Sequence, residues 1–197
     1  MSKKKGKFFD RLAVIVSRVL DPVIEIPILL SGAVLIAVSN GMRWRFLALL
    51  LFVDAVLPAG YLVWGLKSGK LSDWDVTDRK ERMGFYLFTV LAHLFGVLLA
   101  LFIGKYVLFK ILLVWWGMAV VFFAITLFWK ISVHAGVNAA LVVFINHFYG
   151  WDRYWWLMGG LILVMWARVR FEKHTWGQVL AGAGLALLWT GLGLQMI

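Results

Sequence analysis

Cysteine is missing altogether from this chain of 197 residues, so disulfides, thiolate nucleophiles and cysteine-ligated metals are excluded. Proline occurs only three times. No Pro- or Ser-rich linker marks a second compositional regime, and one domain body suffices. Charge is scarce too: Asp, Glu, Lys and Arg make up 15% of the residues, against 63% hydrophobic. A soluble domain of this size lacks the interior to hide so much apolar surface, so the composition is that of an integral membrane protein. Acid is the scarcer sign, with 10 Asp and Glu against 20 Lys and Arg. In a soluble chain that surplus points to nucleic acid. Here the bases collect at the ends of apolar runs, where anionic headgroups account for them, and nucleic acid is set aside as a partner in favour of membrane lipids.

What is abundant is apolar sequence in long runs. A helix needs about 20 apolar residues to cross the hydrocarbon core. That ruler predicts an all-α, polytopic membrane bundle of about six to seven transmembrane helices, near 22–40, 43–66, 84–103, 105–129, 131–149, 153–168 and 174–196. Ahead of it, residues 1–21 read as a basic amphipathic interfacial segment, with Phe9, Leu12, Val16, Val19, Leu20 and Val23 at three- and four-residue steps and Lys3, Lys4, Lys5 and Lys7 as anchors. Asp10, Arg11 and Arg18 interrupt the apolar core that a signal peptide requires, so the segment is expected to be retained. Residues 22–197 form the expected membrane domain. Tryptophans at 44, 64, 74, 115–116, 129, 151 and 155–156 are expected as interfacial anchors, and the spacings Gly136/Ala140 and Gly177/Ala181 as close helix contacts.

Counting spans places the polar stretches 67–84, 130–134 and 168–174 on one side, together with the N-terminus and fifteen of the twenty Lys and Arg. The positive-inside bias makes that side cytosolic, with the plasma membrane as the expected location.

These stretches form three polar stations. In DVTDRKERMGF, Asp78 followed by Glu81 reads as a capping box that starts a helix near Arg79, which places Arg79 and Arg82 in a first turn where the helix dipole disfavours cations unless an anion is near. In WKISVHAGVNAA, Ser132 and His134 stand at another helix start. In RVRFEKHTWGQVLAG, Arg168 ends one helix and His174 begins the next, with Gln178 one turn further on and within reach of the imidazole.

Together the stations resemble the type 2 phosphatidic acid phosphatase superfamily, whose pattern is K-x6-R-P, then P-S-G-H, then S-R-x5-H-x3-D. Arg168 and His174 match at the stated spacing, Ala167 replaces the Ser, and Gln178 stands in place of the Asp, followed by Val179, Ala181 and Gly182. Ile131, Ser132, Val133 and His134 stand for P-S-G-H. The segment DRKER supplies Arg79, Lys80 and Arg82 without the usual spacing. The resemblance runs from Asp78 to Gly182. It implies a metal-independent, cofactor-free hydrolase of lipid phosphates or diphosphates, such as an isoprenyl diphosphate or phosphatidic acid. His174 would be the nucleophile that becomes a phosphohistidine, His134 the proton donor, and Gln178 the orienting group. Arg79, Lys80, Arg82, Ser132 and Arg168 would hold the phosphoryl oxygens. An amide orients a histidine without stabilising its cation. Glu172 would substitute only by folding back.

Two other functions compete. A non-catalytic lipid-phosphate binder would use the same basic mouth. A proton-coupled transporter would use Asp54 and His93, placed at similar depth in neighbouring spans, although a buried structural hydrogen bond is the plainer reading of that pair. Asn146 and His147 read as interfacial. No metal-ligand spacing is evident, and the four histidines are too dispersed for a bis-histidine haem.

Overall fold

The computed structural model of the chain describes residues 2–39 and 41–197, with side chains from Lys7 onward; Lys3, Lys4 and Lys5 lie outside the described side chains. Among these residues there is no strand. The helices are α1 Ser2–Val19, α2 Pro22–Ala37, α3 Met42–Leu51, α4 Leu57–Lys67, α5 Arg79–Phe102, α6 Tyr106–Thr126, α7 Val133–Tyr149, α8 Trp151–Tyr154, α9 Leu157–Arg170 and α10 Trp176–Leu194. A π-turn, Phe52–Val56, joins α3 to α4.

Five helical runs are long and apolar enough to cross a membrane: Lys7–Ala37, Met42–Lys67, Arg79–Phe102, Tyr106–Thr126 and Trp176–Leu194. Val133–Tyr149 is apolar but shorter. The chain is therefore an all-α polytopic membrane bundle. The span expected at 153–168 is instead α8 followed by the 14-residue α9, whose length of about 21 Å falls short of the roughly 30 Å hydrocarbon core. Leu91, Phe95 and Leu98 of α5 and Leu180, Leu188 and Leu192 of α10 are exposed, as lipid-facing side chains are.

The chain divides into two compact units, one of Met1–Glu25 with Lys130–Leu192 and the other of Ile26–Trp129 with Gly193–Ile197. In the first, α1 and α7 both pack against α9. The buried stripe of α1 contains Ala13 and Ser17, while Phe9 and Val19 of the expected apolar set are exposed; Asp10 and Arg170 clamp the pair of helices at 2.9 Å. The close contact of α10 lies at Gly182, where a Cβ would come within 2.5 Å of the Ser132 carbonyl oxygen, and not at Gly177, where a Cβ would meet only the nearby Thr175 Oγ1 at 3.9 Å.

In the second unit α5 packs against α6, against α4 and against the π-turn. The loop 68–78 is tied down by Leu71 and Val76, which bury against Leu62, and by Asp73, whose carboxylate accepts from the backbone of Asp75 and Thr77 at 2.9 and 3.2 Å. Asp78 caps α5 by accepting from the Lys80 N–H at 2.7 Å, so this helix starts where the sequence placed it. The capping box is only half closed, because Glu81 accepts from Ser72 at 2.8 and 2.9 Å instead of reaching back to residue 78. Most of the tryptophans are exposed near helix ends, but Trp115 and Trp116 are mid-helix. Trp115 is buried and Trp116 Nε1 donates to the Val90 carbonyl at 3.2 Å.

Candidate functional site

The second and third polar stations meet within the first unit. The Ser132 N–H donates to the Gln178 carbonyl at 3.3 Å, and the missing side chain of Gly182 lets the start of α7 lie against α10. Any larger residue at 182 would force these two backbones apart. Ser132 is the N-cap of α7, its hydroxyl oxygen accepting from the Ala135 N–H at 3.4 Å. That leaves the hydroxyl hydrogen for another partner.

His174 precedes α10 rather than beginning it. Thr175 and Gln178 form a reciprocal capping box: Gln178 Oε1 accepts the Thr175 N–H at 3.1 Å, and Thr175 Oγ1 accepts the Gln178 N–H at 3.4 Å. The same Oε1 lies 3.2 Å from His174 Nδ1. Because a backbone N–H can only donate, that atom of Gln178 must be the carbonyl oxygen, and so Nδ1 must carry a hydrogen. In neutral His174 the lone pair is then on Nε2. Gln178 thus occupies a helix-capping position and sets the tautomer of His174 at once. The ring is buried.

Arg168 places His174 through its backbone, its carbonyl accepting the N–H groups of Lys173 and His174 at 3.1 and 3.3 Å. Its side chain is only 1% exposed, and Nη1 donates to Ser17 Oγ at 3.0 Å. Glu172 occupies the turn between α9 and α10 in a left-handed conformation, φ 55°, and is exposed, so it is no orienting carboxylate for His174.

The carboxylate that does reach a histidine of this unit lies outside the three motifs. Asp21, between α1 and α2, sets its Oδ2 3.5 Å from His134 Nε2 and 3.6 Å from Arg18 Nη1, while its Oδ1 accepts from the Val23 N–H at 3.0 Å and so caps α2. One turn further, Glu25 is 1% exposed and accepts from Asn138 Nδ2 at 2.7 Å. Asn138 Nδ2 also lies 2.9 Å from the His134 carbonyl and 3.2 Å from that of Leu20. The one available sequence signal was an acid at a helix start, since Asp21 precedes Pro22, which suits the first turn of a helix.

Arg79, Lys80 and Arg82 belong to the second unit. Arg79 Nη1 donates to the Leu127 carbonyl. Arg82 is buried and its Nε donates to the Val76 carbonyl; Val76 is held at φ 46°, a conformation unusual for a β-branched residue, so Arg82 helps secure a strained turn. Lys80 is exposed.

In the same unit Asp54 and His93 are paired, Oδ1 to Nδ1, at 2.9 Å, and His93 Nε2 lies 3.2 Å from the Leu112 carbonyl. Asn146, expected at an interface, is buried and donates to the carbonyls of Val142 and Tyr154 at 2.8 and 3.2 Å. His147 is exposed.

Comparison of the chain with protein-family models, with curated proteins and with solved structures returns no match.

Proposed function

We propose that the first unit carries the active site of a membrane phosphohydrolase acting on an amphiphilic phosphate monoester or diphosphate. The observation that supports it is the junction of Ser132 with Gln178, at 3.3 Å. Through it two helix starts, each next to a histidine of fixed surroundings, are held side by side. Both starts present the positive end of a helix dipole, which favours a phosphate.

In this reading His174 Nε2 attacks phosphorus, forming an N–P bond as the P–O bond to the leaving group breaks. His134 supplies the proton to the departing oxygen. Asp21 beside Nε2 of His134 favours its imidazolium, the form with a proton to give from the other nitrogen. Water then attacks the phosphohistidine, His134 takes up its proton, and inorganic phosphate leaves. Arg168 balances charge on the phosphoryl oxygens and the Ser132 hydroxyl donates a hydrogen bond to them. Phosphoryl transfer asks chiefly for such positioning and electrostatic stabilisation. This reading does not use Arg79, Lys80 and Arg82, which belong to the second unit.

The test is release of inorganic phosphate from a panel of lipid phosphates and diphosphates by the purified chain in detergent. Turnover that falls by about 10⁴-fold or more in His174→Ala, the scale on which loss of a nucleophile acts, supports the proposal. Salt-sensitive binding of the same lipids with no phosphate released overturns it in favour of a binder, as does turnover that His174→Ala leaves intact.

A further inference from the structure

The Asp54–His93 pair is independent of the site just described and stands at the middle of its helices. Asp54 is about 18 Å along the helix from Met42 and about 20 Å from Lys67; His93 is about 21 Å from Arg79 and about 14 Å from Phe102, at 1.5 Å per residue. The pair joins three helical spans, because the second ring nitrogen of His93 faces the Leu112 carbonyl on α6.

The hydrogen bonds fix the number of protons. A carbonyl can only accept, so Nε2 carries a hydrogen; the 2.9 Å contact between Nδ1 and Oδ1 requires one more, on one atom or the other. Carboxylate with imidazolium, or carboxylic acid with imidazole, the pair is neutral and its shared proton lies between two bases. The remaining oxygen, Asp54 Oδ2, is buried and has no hydrogen-bond partner among the described residues. A pair kept purely for packing would be expected to satisfy both oxygens. The α5 backbone comes close to Oδ2 at Gly96, where a Cβ would lie 2.9 Å from it and 3.0 Å from Leu50 Cδ2.

The helix is altered at the same level. The Leu57 N–H bonds five residues back, to the Phe52 carbonyl, and Pro58 has no N–H to give. The carbonyls of Val53 and Asp54 are thereby deprived of their ordinary α-helical donors, which sets spare acceptors within one turn of the carboxyl. The charged and titratable residues of the elements around the pair are Arg43 and Arg45 on α3, Tyr61 and Lys67 on α4, Arg79, Lys80, Glu81, Arg82 and Tyr86 on α5, and Tyr106 and Lys110 on α6. Among the described residues none of them forms a hydrogen bond or ion pair with Asp54 or His93. Lys110, nearest to Leu112 in the chain, donates to the Met196 carbonyl at 3.1 Å.

We infer that Asp54 and His93 form a proton-binding site in the membrane core, which loads a proton on Asp54 Oδ2 in addition to the one shared with His93. On loading, an O–H bond forms at Oδ2 and the pair passes from neutral to a charge of +1; on release that bond breaks and the proton returns to water.

The experiment is an acid–base titration of the full chain in detergent, followed by infrared spectroscopy and by proton counting, between about pH 4 and pH 9, where carboxyl and imidazole groups exchange protons. The expected result is a carboxylic-acid carbonyl band that grows as the pH falls and is absent from Asp54→Asn, with one proton fewer bound per molecule of that variant. Gly96→Ala, which brings a methyl group against Oδ2, is expected to shift the band. Equal proton counts for wild type and Asp54→Asn, with no such band, overturn the inference. Should Asp54→Asn fail to fold, ¹⁵N resonances of His93 in the wild type decide: movement with pH supports the site, and constancy over the whole range overturns it.

Discussion

Asp21 and Asp54 are both buried carboxylates in apolar helical runs, yet they meet their surroundings differently. Asp21 stands at the start of α2, where a backbone N–H, that of Val23, bonds one oxygen at 3.0 Å and leaves the other for His134 and Arg18. Asp54 stands in mid-span. Its Oδ1 has only His93, at 2.9 Å, and Oδ2 has no hydrogen-bond partner among the described residues. The difference follows from backbone chemistry. The first turn of a helix has N–H groups with no intrahelical acceptor, whereas in the middle of a helix every N–H is taken by the ladder. An acid in the first position is satisfied locally, and its free edge can serve an adjacent histidine. An acid in the second needs a side chain from another helix and a break in the ladder, which the π-turn and Pro58 provide.

The largest expected effect separates these two acids by function. Asp21→Asn should lower phosphate release by about 10² to 10⁴-fold, the range seen when a general acid loses its support, while Asp54→Asn should leave it unchanged in the same assay. If both substitutions lower turnover alike, the division of labour is wrong. Next in size, Arg168→Ala removes a guanidinium that is 1% exposed and bonded to Ser17. It should cost about 3 kcal/mol or more in denaturant unfolding, through lost packing and an unpaired Ser17 hydroxyl. Arg168→Lys should keep most of that stability and still lose turnover, since an ammonium cannot reproduce the fork.

The junction of α7 with α10 gives a sharper pair. Gly182→Ala, with its Cβ 2.5 Å from the Ser132 carbonyl oxygen, should destabilise by about 1–3 kcal/mol because backbone must move. Gly184→Ala, with nothing within 4 Å of its Cβ, should be neutral or gain up to about 1 kcal/mol of helix propensity. Thermal or denaturant unfolding of the two variants checks this. Gln178→Ala should lose about 1 kcal/mol with its capping bond. Gln178→Glu should keep the cap and raise turnover, because a carboxylate also stabilises the cationic form of His174; a fall in turnover would show that the amide is the group this site requires. Smallest is the effect of Asp54→Asn on stability, expected at about 0.6 kcal/mol and below about 1.7 kcal/mol, as for polar contacts between helices in lipid.

Several elements were legible in the sequence because their determinants lie within a few residues. Asp78 predicted the start of α5 at Arg79, and Ser132 and His134 were correctly set at a helix start. The approach of Gln178 to His174 needed only one helical turn. Trp115 was misjudged because composition does not tell which face of an apolar helix meets protein and which meets lipid. Glu81 was assigned to Asp78, but a residue nine positions earlier, Ser72, competes for it once the loop folds back.

By itself the sequence determined that this is a helical membrane protein and where α5 and α7 begin, since apolar length and end-capping act over one or two turns of chain. Only the tertiary structure decided which acid serves which histidine. His134 reaches back to Asp21 on the first helical run and His93 reaches Asp54 across 39 positions, and contacts of that range depend on how helix faces pack, which local chemistry does not specify. Packing of that range gave His134 its carboxylate, whereas the amide beside His174 lies one helical turn away in the chain.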